Sequence, residues 1–261
     1  MHLILTGATG LVGSGVLDAM LKSKEITKIS ILSRRPVPMA AGDPRVNVIA
    51  HNDFTRYNSE VLEQLQGASG VVWALGISQL KVTKDEYVTI TKDFPVAAAK
   101  AFSKISPTKE PFRFIYVSGH GATLEPNSFT PIFGCVKGET EKALSELHAP
   151  SKFRVESVRP AGVDATNHEA IKPYIPNPGM LYNAMYLLMG PLMRTALQSL
   201  HSPTEKLGPF LMNMAMGKYD KPLDAGGNGI SSINGSRILE NAAFQRFFPG
   251  YITFPAMMFL A

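Results

Sequence analysis

The chain has 261 residues and a formal net charge of +5, with 45% hydrophobic and 18% charged residues. That balance suits a folded globular protein with room for one large α/β core, and it excludes intrinsic disorder. The basic residues are scattered (Lys22, Lys28, Arg34, Arg35, Lys100, Lys104) and lack the continuous stripe of a nucleic-acid binder.

Leu3-Ile4-Leu5 reads as a first strand, followed by a glycine-rich turn and a helix over residues 11–21. Short apolar runs at 29–32, 46–49, 71–75, 112–117 and 153–158 read as further strands. Helical patterns fall between them at 60–65, about 84–103 and about 131–147. Strands alternating with helices predict right-handed crossovers and an α/β Rossmann fold, a doubly wound parallel sheet with helices on both faces. Beyond Pro160 the rhythm changes. Pro173, Pro176 and Pro178 mark an irregular connection, and helical patterns follow at about 180–200, 204–216 and 236–247. The expected organisation is a dinucleotide-binding domain over 1–165 and a small, mainly helical, substrate-capping region over 166–261, packed on the same domain.

The first turn carries chemistry. Thr6-Gly7-Ala8-Thr9-Gly10-Leu11-Val12-Gly13 leaves a strand and opens a helix. Gly7 permits a tight turn, Gly10 lets backbone approach a pyrophosphate, and Gly13 allows close helix-on-strand packing. The helix N-terminus offers free N–H groups to the phosphates. About 20 residues on, an NAD-specific site places Asp or Glu on the ribose hydroxyls. Ser33-Arg34-Arg35 stands there instead, and guanidinium groups suit a 2′-phosphate, so NADP(H) is the expected cofactor.

The glycine turn, His51-Asn52-Asp53-Phe54, Ala74-Leu75-Gly76, Ser118, Val136-Lys137-Gly138-Glu139 and Arg159-Pro160 together resemble the short-chain dehydrogenase/reductases of extended or atypical type. Val136-Lys137-Gly138-Glu139 and Leu239-Glu240-Asn241-Ala242 are most similar to the branch of Tat-interacting-protein-like oxidoreductases. The resemblance implies that Asp53 and Phe54 lie beside the adenine and that Ala74, Leu75 and Gly76 line the ribose side. It implies further that Lys137 binds the nicotinamide ribose, that Pro160 to Val163 flank the nicotinamide, and that Ser118 orients a substrate oxygen.

One position departs from that pattern. The family's Tyr-x-x-x-Lys places a phenol and an ammonium on one helix face, where the lysine lowers the tyrosine pKa for proton transfer. Here the pentapeptide is Phe133-Gly134-Cys135-Val136-Lys137, and phenylalanine cannot be a general acid. Three explanations stand side by side. Another donor is recruited, with His120, Tyr116, Tyr87, Tyr174, Tyr182 and Tyr186 as candidates; the phenylalanine is an engineered replacement; or the fold serves a non-redox isomerase, cyclase or cofactor-sensing protein.

Other classes find little support. One cysteine, Cys135, excludes an internal disulfide, points to a reducing compartment and reads as packing. The six histidines show no metal-ligand spacing, and Ser118 lacks a nucleophile elbow. No apolar run is long enough to span a bilayer, and the N-terminus turns glycine-rich too early for a signal peptide. A cytoplasmic monomer or homodimer is expected. It would act on a small apolar carbonyl or hydroxyl compound as an NADP(H)-dependent oxidoreductase, without metal or nucleic acid.

Overall fold

The computed structural model describes residues 1–105, 110–177, 179 and 190–248. The chain begins with β1 (His2–Thr6), α1 (Leu11–Lys22), β2 (Lys28–Ser33), β3 (Val46–Ala50), α2 (Ser59–Gln64) and β4 (Gly70–Trp73). It continues through α3 (Lys84–Val88), α4 (Phe94–Phe102), β5 (Phe112–Val117), α5 (Ile132–Ser145) and β6 (Phe153–Arg159). The remaining elements include β7 (Gly162–Asp164), β8 (His201–Pro203), α6 (Thr204–Ala215), β9 (Ile230–Ile233) and β10 (Ser236–Glu240).

The main sheet has the order β3-β2-β1-β4-β5-β6-β10-β9 and is parallel except for β9. Because β1 pairs with both β2 and β4, the winding reverses there, and the crevice outside the carboxyl ends of β1 and β4 is the expected ligand site. All five residues of β1 are buried, as a strand covered on both faces requires. Leu3 and Leu5 face a core with Val16, Leu17 and Met20 of α1 and Leu207, Phe210 and Leu211 of α6. Ile4 faces the opposite core, built on Trp73, Phe102 and Phe114. His168 ties the later segment to the first helix, its ring sharing hydrogen bonds with Thr204 Oγ1 at 2.9 Å and Asp18 Oδ2 at 3.0 Å.

Two expectations from the sequence are corrected. The single helix over 84–103 is α3 and α4 joined by a π-helical stretch, Thr89–Asp93. Pro95 sits in the first turn of α4, where the missing N–H is harmless, and the wider turn before it absorbs the break. The final helix expected over 236–247 is instead β10 followed by a helical turn, Asn241–Gln245. Asn234 (φ 49°) and Gly235 (φ 81°) form a tight turn that folds β9 onto β10, and β10 then pairs with β6. Residues 230–240 therefore complete the sheet. Of the Met- and Leu-rich pattern at 180–200, residues 180–189 lie outside the described residues, and 190–195 are helical.

Candidate active site

The glycine turn is built as a cradle. Gly7 has φ +72°, and a Cβ there would stand 2.4 Å from the carbonyl oxygen of Ala74 at the end of β4. A Cβ on Gly13 would stand 2.0 Å from the carbonyl oxygen of Gly7. Gly10 donates to Gly7 O at 2.8 Å and opens α1, whose N-terminus no side chain caps and whose first turn holds no acid. The positive end of α1 thus faces the crevice with backbone alone, which fits the pyrophosphate of a dinucleotide.

A cavity of about 980 Å³ extends from this turn past the ends of β4, β5 and β6. Gly10, Leu11, Val12, Ala74, Leu75 and Gly76 line one end. Ser118, His120 and Lys137 stand at its middle, with Pro160 and Val163 beyond them. Ile175, Met193 and Leu200 make the far wall apolar. Motifs separated by more than 150 residues therefore meet in one space.

Ser118 is 4% exposed, and its Oγ has no hydrogen-bond partner within the protein. A buried hydroxyl without a partner costs free energy unless a water or a ligand supplies one, so this atom can pair with a group that enters the cavity. Lys137 Nζ donates to Ser118 O at 2.6 Å and Val117 O at 3.4 Å. Burial lowers its ammonium to about 8, and the charge of Glu141 one turn on opposes that shift.

Other predicted residues fall outside the cavity. Phe54 is fully buried, its ring edge-on to Trp73 and beside Phe94 in the core, so only its backbone is left to lie beside an adenine. Asp53 accepts from the Thr55 N–H at 2.9 Å and the Thr55 hydroxyl at 2.5 Å, which shapes the loop after β3. Ser33 Oγ donates to Arg35 O at 2.7 Å and accepts from the Arg35 N–H at 3.1 Å, closing a turn that leaves Arg34 and Arg35 exposed. Thr9 lies in the glycine turn but does not line the cavity. Phe133 also stays out of the cavity; its ring tip lies 3.4 Å from where a Cβ on Gly121 would stand.

The alternative proton donors separate by geometry. Tyr116 lines the cavity with its ring, but its hydroxyl donates to Thr91 O at 3.2 Å, and burial pushes its pKa far up. Tyr87 is buried away from the cavity, and Tyr174 is exposed outside it. Tyr182 and Tyr186 lie outside the described residues. His120 lines the cavity, with its side chain 56% exposed and Nδ1 3.9 Å from Glu240 Oε2.

Sequence reasoning missed the support around these groups. Arg159 binds Glu141 with Nε at 2.9 Å and Nη2 at 2.5 Å, and reaches Glu240 with Nη1 at 2.6 Å. It also missed Asp164 on the cavity wall, held by Arg194 at 2.8 Å and His201 at 3.1 Å, which keep its carboxyl far below the usual range. Among the described residues no cluster of His, Cys, Asp and Glu could hold a metal, and no helix is long and apolar enough to cross a membrane.

No family model matches the chain. It is 41% identical over 194 residues to the leucinostatins biosynthesis cluster protein T of Purpureocillium lilacinum, spanning 67% of this chain and 70% of that protein. It is 42% identical over 151 residues to the botcinic acid biosynthesis cluster B protein 16 of Botryotinia fuckeliana, spanning 57% of this chain and 94% of that protein. The chain belongs to their family. Among solved structures, Bordetella bronchiseptica WbmF in complex with NAD+ matches with a TM-score of 0.63 at 12% identity, covering 92% of this chain and 72% of that one. That likeness shows the fold, and the doubly wound, Rossmann-like α/β architecture is the one observed.

Proposed function

We propose that this protein is an NADP(H)-dependent oxidoreductase acting on a small apolar carbonyl or hydroxyl compound. The observation that carries the reading is the unpartnered, buried hydroxyl of Ser118 beside Lys137, in the cavity that the glycine turn opens. The dinucleotide would rest on the Gly7–Gly13 turn and along Ala74 to Gly76, with Lys137 on the ribose and Pro160 and Val163 beside the nicotinamide. Arg34 and Arg35 would take the 2′-phosphate. When bound, the reduced nicotinamide supplies a hydride to a carbonyl carbon. Ser118 then donates a hydrogen bond to the carbonyl oxygen, and the apolar walls exclude water. The relatives' place in biosynthesis clusters supports a secondary-metabolite intermediate as the substrate.

Single-turnover mixing of protein-bound NADPH with a panel of apolar aldehydes and ketones tests this. Loss of nicotinamide absorbance supports it. Phe133 favours a second reading, a non-redox isomerase or a cofactor-sensing protein on the same fold. That reading predicts NADPH binding with no absorbance loss for any carbonyl.

A further inference from the structure

We infer that His120, which stands beside Glu240 at the cavity, replaces the missing phenol as the proton donor of this site. The inference rests on the oxidoreductase reading above. His120 reaches the cavity from the loop after β5, two residues beyond Ser118, and its backbone N–H donates to Pro160 O at 2.9 Å. That bond fixes the loop against the end of β6. The imidazole is also 56% open to solvent, so it can be re-protonated from water after each transfer.

Glu240 ends β10, and its Oε2 lies 3.9 Å from His120 Nδ1, so a carboxylate stands beside the imidazole at the cavity mouth. Glu240 is held in turn by Arg159, its register partner across the β6–β10 pair. Arg159 also grips Glu141, whose charge acts on Lys137. One guanidinium thereby holds both the carboxylate beside His120 and the one whose charge acts on Lys137. The other charged groups on the cavity wall are Lys137 of α5, Lys81 before α3, Asp164 of β7 and Lys172 after it. Asp164 is committed to Arg194 and His201, and Lys172 to Glu169, which leaves Glu240 as the acid facing His120.

The chemistry balances. As the carbonyl carbon gains hydride, the C=O electron pair moves to oxygen, and that oxygen takes the imidazolium proton. The alcohol leaves, and the neutral His120 recovers its proton from water. His120 is the donor in contact with the reacting oxygen, while Glu240 and Arg159 are positioning residues.

Single-turnover oxidation of bound NADPH by decanal, for the parent protein, His120→Gln, Glu240→Gln and Glu240→Asp, tests the assignment. Intrinsic-fluorescence titration with NADPH runs in parallel. His120→Gln is expected to slow oxidation by about 100-fold or more with unchanged NADPH binding. Glu240→Gln is expected to slow oxidation at saturating NADPH and decanal with NADPH binding unchanged, and Glu240→Asp to restore most of the rate. An equal rate for His120→Gln and the parent overturns the assignment of His120. An equal rate for Glu240→Gln and the parent, or no rescue by Glu240→Asp, overturns the role of Glu240. Absence of oxidation by the parent protein with any carbonyl overturns the oxidoreductase reading itself, and the proton-donor role with it.

Discussion

Glu240 stands opposite Arg159 in the parallel pairing of β10 with β6, and the Arg159 guanidinium donates to it at 2.6 Å while gripping Glu141 from the other side. The Arg159 side chain is 11% exposed and that of Glu141 is fully buried. Removing the arginine would leave a buried carboxylate without its counter-charge, which costs about 3–5 kcal/mol. Arg159→Met is therefore expected to lower the urea midpoint sharply. Adding Glu141→Gln should recover more than half of the loss, because the orphaned charge goes with it. Circular dichroism of the parent, the single and the double variant checks the order.

Restoring the family tyrosine should do little. The tip of the Phe133 ring lies against Gly121, not in the cavity, so a hydroxyl added there meets the loop backbone. Phe133→Tyr is expected to change the rate of NADPH oxidation by less than about threefold, against the 100-fold or more that a working general acid supplies. A rise of 100-fold in single-turnover rate would mean that the loop after β5 shifts and the phenol enters the site.

These two expectations show which parts of the molecule could be read beforehand. The first βαβ unit was legible because its glycines are demanded by close backbone contacts of Gly7 with Ala74 and of Gly13 with Gly7, which are local or span one crossover. Ser118 and Lys137 were named through the resemblance to a known family, and both line the cavity. Glu240 was not assigned to the site, because its pairing with Arg159 joins residues 81 apart and leaves no periodic trace. The hairpin that delivers it did carry a signal. Asn234-Gly235 between Ile233 and Ser236 is a two-residue turn pattern, and the apolar spacing of residues 236–247 masked it as a helix. The burial of the Phe54 ring was not legible, because a motif position fixes the backbone while the ring follows the nearest apolar core.

Stability should fall with acid through His2. The ring is buried, shares a hydrogen bond with Ser30 Oγ at 2.9 Å and has its pKa lowered to about 4 by burial and then by the charge of Lys28. In the unfolded chain it titrates near 6.5. Above that pH both states are neutral, and the contribution is fully present. As pH falls from 6.5 towards 4 the unfolded chain takes up a proton that the folded one refuses, so the contribution is progressively lost. With allowance for solvent screening at this strand end, the loss is on the order of 2 kcal/mol. His2→Gln should flatten the fall across this window, measured as the difference in urea midpoint between pH ~7 and pH ~4.5.

The proposed preference for NADPH is expected to turn on the loop after β2. Ser33 pairs with Ala50 of β3 and leads off the strand next to β1, which places Arg34 and Arg35 beside the carboxyl end where the glycine turn begins. Both side chains are exposed, and no acid accompanies them to hold ribose hydroxyls. The hydroxyl of Ser33 is engaged with the backbone of Arg35, so any 2′-phosphate must be met by the guanidinium groups themselves. A charged hydrogen bond contributes about 1.5–3 kcal/mol, so losing both should weaken NADPH binding by about 100-fold after solvent screening. NADH lacks the phosphate and should bind the parent and Arg34→Ala/Arg35→Ala proteins alike. Isothermal titration of both coenzymes against both proteins reads this directly. Equal weakening of NADH would place the arginines on the adenine or the pyrophosphate instead, and unchanged NADPH affinity would make them solvated loop charges. The salt dependence gives an independent check, since NADPH affinity for the parent protein should fall more steeply with ionic strength than that of the double variant.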